Sequence, residues 1–274
     1  MIIIETQRHF RDVADLPFCY WCGKNFEPED ATDGDHVPPK SVFDVRDRTS
    51  PLILKTHVSC NNTHKTIDEL SGQLVALQRD YVTPDPKNRR LKMEVYPGQP
   101  FGAVTNINVV EAVWRYIRGF HAALYREPLL GVPEGAMTTP FTRAQIVDNE
   151  LVLEGPKKEQ HFTIVQAMKN QRAARNVDRI LSNKGKLTYE CVWVWADDRK
   201  AVMTGQRPIR KQRACIFALD IYDWKELGDV GQFPARGCAG VYFLPDGHAP
   251  ARASLYIESA PIVANQDPWD SFAC

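Results

Sequence analysis

The chain has 274 residues, 34 Lys and Arg against 34 Asp and Glu, and a hydrophobic content of 43%. That length allows one or two domains with a sizeable core, and the composition excludes disordered, collagen-like and low-complexity chains. A formal charge of zero excludes a uniformly basic, non-specific polyanion binder.

The start MIIIETQRHF turns charged after three isoleucines, and no apolar run reaches the roughly 20 residues of a membrane span. The expectation is a cytoplasmic protein without membrane association. Seven unevenly spaced cysteines do not make a disulfide framework. Cys19, Cys22 and Cys60 cluster near the N-terminus, whereas Cys191, Cys215, Cys238 and Cys274 stand alone, as small buried apolar residues or, for Cys274, a tail thiol.

In chain order, residues 1–75 carry many turn formers and short polar segments that a metal staple would suit. Ile67, Leu70, Leu74 and Leu77 recur at helical spacing, predicting a helix that begins after Cys60 and runs toward Pro84-Asp85-Pro86. The prolines at 84, 86, 97 and 100 mark residues 83–104 as a linker. Val110, Val113, Trp114, Ile117, Phe120, Leu124 and Tyr125 then form one face of a helix ending before Pro128, the core of a second unit.

The stretch TRAQIVDNELVLEG fits helix or strand equally. The segment HFTIVQAMKNQRAARNVDRIL predicts a basic amphipathic helix up to Leu181, stopped by Asn183-Lys184-Gly185. Beyond it, TYECVWVWADD, RACIFALDIYDW, GVYFLPDG and ASLYIES predict four strands of a mostly antiparallel sheet.

The zero net charge is a sum of unequal parts. Residues 1–75 carry net −4, residues 76–156 net 0, residues 157–213 net +9 and residues 214–274 net −5. Polyanions respond to local potential within about 10 Å, so the basic part is a candidate nucleic-acid surface. Its cations are Lys169, Arg172, Arg175, Arg179, Lys184, Lys186, Arg210, Lys211 and Arg213. A solvated helix face, or one paired with the acidic C-terminal part or a partner protein, accounts for the same charges.

Chemistry concentrates in CYWCGKNF, DGDHVPPKSVF and LKTHVSCNNTHKTIDE. Cys19 and Cys22 are two residues apart in the manner of a metal knuckle, and His57 with Cys60 repeats the spacing. Together they can close a tetrahedral Zn²⁺ site that staples a segment lacking a large core. Asp35, His36, Asn61 and His64 make a second demand. Oxygen donors suit a hard cation such as Mg²⁺ or Mn²⁺, and an imidazole beside them takes a proton from water near neutral pH. Phosphodiester hydrolysis needs that division of labour. On the plainer reading, Asp35-His36 is a turn before Pro38-Pro39 and Asn61 caps the next helix.

The order of Cys-x-x-Cys-Gly, then Asp-His-Val-Pro-Pro-Lys-Ser-Val-Phe, then a short apolar strand, then Cys-Asn and a Lys-bearing helix start resembles the HNH endonucleases over residues 17–70. It is most similar to the bacterial group with a central Asp-His-Val-Pro-Pro motif. The resemblance implies a ββα-metal fold, with strands around His36 and residues 51–57; joined to the elements read above, it gives an α+β chain that starts with a zinc-stapled domain over residues 1–82. A linker over 83–104 follows, then an α+β accessory domain over 105–274 made of a helix and a mostly antiparallel sheet.

It also implies His36 as general base, with Asp35 and Asn61 as ligands of the catalytic Mg²⁺ or Mn²⁺. His64 becomes an alternative ligand or phosphate contact, a role that Lys65 can share. The Asn that braces the base-bearing loop in that family has no counterpart here, since Ser50, Pro51 and Leu52 stand in its place. The implied activity is DNA endonuclease, in a setting such as phage defence or restriction, acting as a homodimer or with a partner protein. Two alternatives use the same residues: a catalytically weak zinc-knuckle subunit that binds nucleic acid or protein in a larger assembly, and a nuclease directed at RNA.

His121, set among Phe120, Ala122, Ala123 and Leu124, reads as a core residue. Arg115 and Arg118, one turn apart on the same helix, read either as phosphate contacts or as a solvated face.

Overall fold

A computed structural model describes residues 1–78, 90–95, 102–130, 137–140, 143–147, 150–154, 177–196, 212–222 and 237–244, with residues 250 and 252. The fold is mixed α+β, and among the described residues no helix is long and apolar enough to cross a membrane.

The N-terminal part opens with strand β1 (Ile3–Ile4) and helix α1 (Gln7–Ala14), whose first turn is capped by the Thr6 hydroxyl accepting from His9 N. Helix α1 turns Phe10 and Val13 inward. Strands β2 (Thr32–His36) and β3 (Ile53–His57) form an antiparallel hairpin, with His36 opposite Ile53 and Thr32 opposite His57.

Helix α2 (Val58–Thr63) begins one residue after His57, so Cys60 and Asn61 lie inside a helical turn and not ahead of the helix, as the apolar spacing had predicted. His64 breaks the helical run, and α3 (Lys65–Gln78) continues it. Asn61 therefore does not cap the helix; His57 holds the cap position, without a side-chain cap bond. Gly72 lets α3 approach the loop after β2, since a Cβ there would lie 2.6 Å from the backbone oxygen of Ser41.

Of the expected linker, the described part forms two short paired strands, β4 (Met93–Val95) and β5 (Gly102–Val104). Helix α4 (Val109–Tyr125) matches the predicted helix. Asn108 caps it by accepting from Glu111 N, and Arg126 ends it in the left-handed region.

The sequence pattern marks one apolar face on α4, yet every side chain from Ala112 to Tyr125 that carries a Cβ is buried. The reason is that α4 runs between two layers. One side meets the N-terminal hairpin, where a Cβ on Gly119 would lie 2.6 Å from Val37. The other side meets a sheet, with Phe120 stacked 4.6 Å from Tyr189 and Trp114 edge-on to Phe217 at 6.1 Å. A single apolar cluster thus joins the expected nuclease unit to the expected accessory unit.

That sheet has six strands in the order β1, β9, β10, β11, β12, β6, where β6 is Met137–Pro140, β9 Asp178–Ser182, β10 Leu187–Ala196, β11 Gln212–Ile221 and β12 Gly237–Phe243. All pairings are antiparallel except β1 with β9. The ambiguous TRAQIVDNELVLEG stretch forms a hairpin of β7 (Arg143–Val147) and β8 (Glu150–Glu154). Three of the four C-terminal strands are found; the fourth, ASLYIES, lies outside the described residues.

The predicted basic helix is corrected at its C-terminal end. Residues Asp178–Ser182 are strand β9, with alternating burial. Two neighbouring strands and the buried Asp178, which accepts from Ile2 N and the Tyr125 hydroxyl, fix the extended form over the local helical period. Residues 160–176 lie outside the described part. The Asn183–Gly185 stop is a 3₁₀ turn, with Asn183 and Lys184 both at positive φ.

Candidate functional site

The base of the hairpin brings together Cys19, Cys22, His57 and Cys60, whose ligand atoms all lie within 4.8 Å of one another. This cluster can hold a metal ion such as zinc, which takes three thiolates and an imidazole in tetrahedral geometry. The first knuckle is a tight turn in which Gly23 N donates to Cys19 O and Gly23 adopts φ +75°.

Burial opposes ionisation of Cys19, but hydrogen bonds from Thr56, Cys22, His57 and Trp21 outweigh it and lower its pKa to about 6. Its sulfur lies 3.0 Å from the Thr56 hydroxyl. Cys60 is pushed up to about 12, by burial first and then by the neighbouring Cys19 and Cys22 sulfurs. Packed thiolates repel one another, and a dication in their midst reverses that preference.

His57 is oriented from both ends. Its Nδ1 lies 3.4 Å from Cys22 Sγ, and its Nε2 lies 3.1 Å from Asp30 Oδ2. Burial works against the imidazolium, yet the bonds to Cys19 and Asp30 raise the His57 pKa. Asp30 is held in turn by Glu27 N at 2.8 Å. Sequence reading missed Asp30, although its carboxylate follows the first knuckle by eight residues in a turn-rich segment.

The second group of predicted residues does not assemble into one cation site. Asp35, on β2, faces inward and is only 5% exposed. Arg115 Nη2 donates to both of its oxygens, at 2.7 and 2.8 Å, and the Tyr20 hydroxyl donates to Oδ2. The same guanidinium donates through Nη1 to Asp68. Asn61 sits at the surface and donates its amide to Asp33, 3.3 Å away.

His64 is buried at 2% exposure, edge-on to Trp21 at 3.9 Å, and its Nε2 has no partner among the described residues. Burial first, and then the charge of Arg115, lower its pKa to about 4. So placed, it makes no phosphate contact; Lys65, at the start of α3, is exposed. Arg115 and Arg118 are likewise buried and do not face solvent: Arg118 lies over Trp21 at 4.0 Å.

His36, adjacent to Asp35, points elsewhere because successive residues of a strand face opposite sides. It lines a small cleft with Pro38, Lys40, Phe43, Arg48, Pro51 and Asn183. Burial first, and then the positive charge of Lys40, lower the His36 pKa, so the imidazole is neutral at pH 7.

The loop carrying Lys40 and Arg48 is braced without the Asn expected from the resemblance. Val37 N donates to Leu52 O, Arg48 Nε to Phe43 O, the Ser41 hydroxyl to Asp68 O and Asp44 N to the Tyr222 hydroxyl.

Of the predicted nucleic-acid contacts, Lys184 meets this loop and Lys186 meets Tyr222, whose hydroxyl accepts from the loop's Asp44 N. Lys184 Nζ donates to Arg46 O at 2.9 Å, and Lys186 lies 5.9 Å from the ring centroid of Tyr222. Arg179 sits on β9, 4.0 Å from Glu5, and Arg213 is a strand position on β11. Lys169, Arg172, Arg175, Arg210 and Lys211 lie outside the described residues. His121 is a core residue, bonded to the Tyr242 hydroxyl and to Glu127.

No protein-family model, curated protein or solved structure matches the chain.

Proposed function

We propose that the chain is an endonuclease of the HNH type that hydrolyses phosphodiester bonds in DNA, built on a zinc-stapled ββα-metal unit. The observation that carries this reading is the surroundings of His36: a neutral imidazole at a cleft with Lys40 and Arg48, bordered by the turn that bears Lys184 and Lys186. These parts come from two distant stretches of sequence, one holding the Asp-His-Val-Pro-Pro motif and the other the basic segment. The hairpin of β2 and β3, the helices after it and the four-residue metal cluster support the same reading.

In this reading a DNA phosphate enters the cleft between Lys40 and Arg48, whose charges oppose that of the phosphate and of the five-coordinate transition state. His36 takes the proton of the attacking water, which forms a bond to phosphorus as the bond to the leaving oxygen breaks and that oxygen takes a proton from solvent water. The zinc cluster holds the hairpin and helix in place and takes no part in bond making. Lys184 and Lys186 extend the phosphate contacts, which give affinity and position with little sequence information.

Mg²⁺ or Mn²⁺ is the cation that the resemblance implies, with Asp35 and Asn61 as donors. The donor set as placed does not fit it: both Asp35 oxygens are engaged by Arg115 and Tyr20, and Asn61 is turned to Asp33. That observation favours a second reading, a zinc-stapled subunit that binds nucleic acid or a partner protein and does not cut.

Plasmid nicking separates the two. The zinc-loaded protein is incubated with supercoiled DNA, with and without Mg²⁺ or Mn²⁺, beside His36→Ala. Nicking that falls about 100-fold or more in the variant is the expected result for a general base. Equal nicking by both proteins removes His36 from the chemistry, and DNA binding without nicking by either selects the second reading. An RNA substrate in the same assay tests the choice of nucleic acid.

A further inference from the structure

Two carboxylates, Asp35 from the hairpin and Asp68 from α3, converge on one positive group that is neither a metal ion nor a surface lysine. It is the guanidinium of Arg115, 1% exposed, which donates through Nη2 to both oxygens of Asp35 and through Nη1 to Asp68. The Tyr20 hydroxyl supplies one more donor to Asp35. We infer that Arg115 takes the seat of the divalent cation, making Asp35 a structural anchor between the hairpin and α4 and leaving no place on it for Mg²⁺ or Mn²⁺.

Three physical points carry this. A hard cation binds carboxylate oxygen at about 2.0 to 2.6 Å. Around Asp35 three of about four acceptor positions are taken, by Arg115 at 2.7 and 2.8 Å and by the Tyr20 hydroxyl. A dication would also meet the fixed charge of the guanidinium in a low-dielectric interior, where repulsion is strong. Nor can the arginine withdraw locally. Its α4 neighbours Trp114, Tyr116 and Ile117 are all buried, so removing the guanidinium means taking α4 out of the core. The arrangement is thus a permanent substitution. It goes beyond the hydrolytic reading and does not depend on it.

The test uses the full-length, zinc-loaded protein and Mn²⁺ itself, followed by the spin-resonance signal of the free ion. Wild type and Asp35→Asn, which keeps the shape of the carboxylate, are expected to give coincident Mn²⁺ titrations. Arg115→Gln, checked for folding by circular dichroism, is expected to gain Mn²⁺ affinity about tenfold or more, and the gain is expected to vanish in the double variant with Asp35→Asn.

Wild-type binding tenfold or more tighter than that of Asp35→Asn overturns the inference, as does a folded Arg115→Gln without a gain. Should either variant fail to fold, paramagnetic broadening of the Tyr20 ring signals in the wild type decides. No broadening at millimolar Mn²⁺ supports the substitution, and selective broadening of Tyr20 overturns it. Plasmid nicking is scored separately, so coincident Mn²⁺ titrations beside an absence of nicking sink the nuclease reading and leave this one standing.

Discussion

His57 and Asp30 face each other at 3.1 Å, imidazole Nε2 to carboxylate Oδ2, while the other ring nitrogen of His57 points into the cysteine cluster. The carboxylate selects the tautomer that presents a lone pair from Nδ1, and would make the ring a better donor to a metal held by the cluster. Glu27 N in turn pins Asp30, so the orientation is set by a short segment between the first knuckle and β2.

Asp30→Asn keeps the size of the side chain and removes its charge. Its zinc affinity is expected to fall about 10- to 100-fold, the usual cost of losing such a partner. Competition with a chromophoric chelator measures this. An unchanged affinity means that His57 is held by packing against Phe26, whose ring centroid lies 5.0 Å away, and not by Asp30.

The cluster of three cysteines and a histidine was readable from spacing because its members come in two local pairs, each on one turn of chain. The hairpin was implied by the resemblance, which puts strands around His36 and at residues 51–57, where β2 and β3 lie. The Arg115 contact was not. Its partner Asp35 is 80 residues away, and nothing local distinguishes an arginine that pairs in the core from one on a solvated face.

Strand β9 was misread because its five residues continue the helical period of the stretch before them, and pairing with β1 and β10 overrides it. Lys184 and Lys186 were picked out by charge, but their nearness to the His36 cleft follows from the contact of their turn with Arg46 and Tyr222, more than 100 and about 35 residues away.

His64 gives a stability prediction with a definite sign. Its folded pKa is lowered to about 4 from an unfolded value near 6.5. Between these values the unfolded chain binds the proton and the folded one does not, so stability is intact above pH 6.5 and is lost as pH falls toward 4. The full difference corresponds to about 3 kcal/mol. Urea midpoints for zinc-loaded wild type and His64→Asn across pH 4.5 to 7.5 measure it. The variant is expected to show a flatter profile, and parallel profiles remove His64 as the cause.

His36 sets the expected pH dependence of nicking. Its pKa is lowered by burial and by Lys40, so the neutral, proton-accepting form persists below pH 6.5. The nicking rate is expected to begin its acid fall, tenfold per unit, at a pH below that of an ordinary imidazole. Lys40→Gln removes one cause of the depression, and its acid limb is expected to move to higher pH. A limb that stays in place means that Lys40 does not act on the base.

Lys184 and Lys186, in and just after the turn that precedes β10, bear on how DNA would be held in the proposed complex. Each phosphate contact releases a counterion, so the logarithm of affinity falls with the logarithm of salt concentration by about 0.9 per contact. Changing both residues to Gln is expected to weaken duplex binding at low salt and to reduce that slope by about 1 to 2, with similar losses on unrelated sequences. Fluorescence anisotropy with two duplexes of different sequence measures both quantities. Lys184 also donates to Arg46 O, so the urea midpoint of the variant is recorded alongside. A lost slope with an unchanged midpoint places the two side chains on the DNA, whereas an unchanged slope confines the basic surface to the remaining cations.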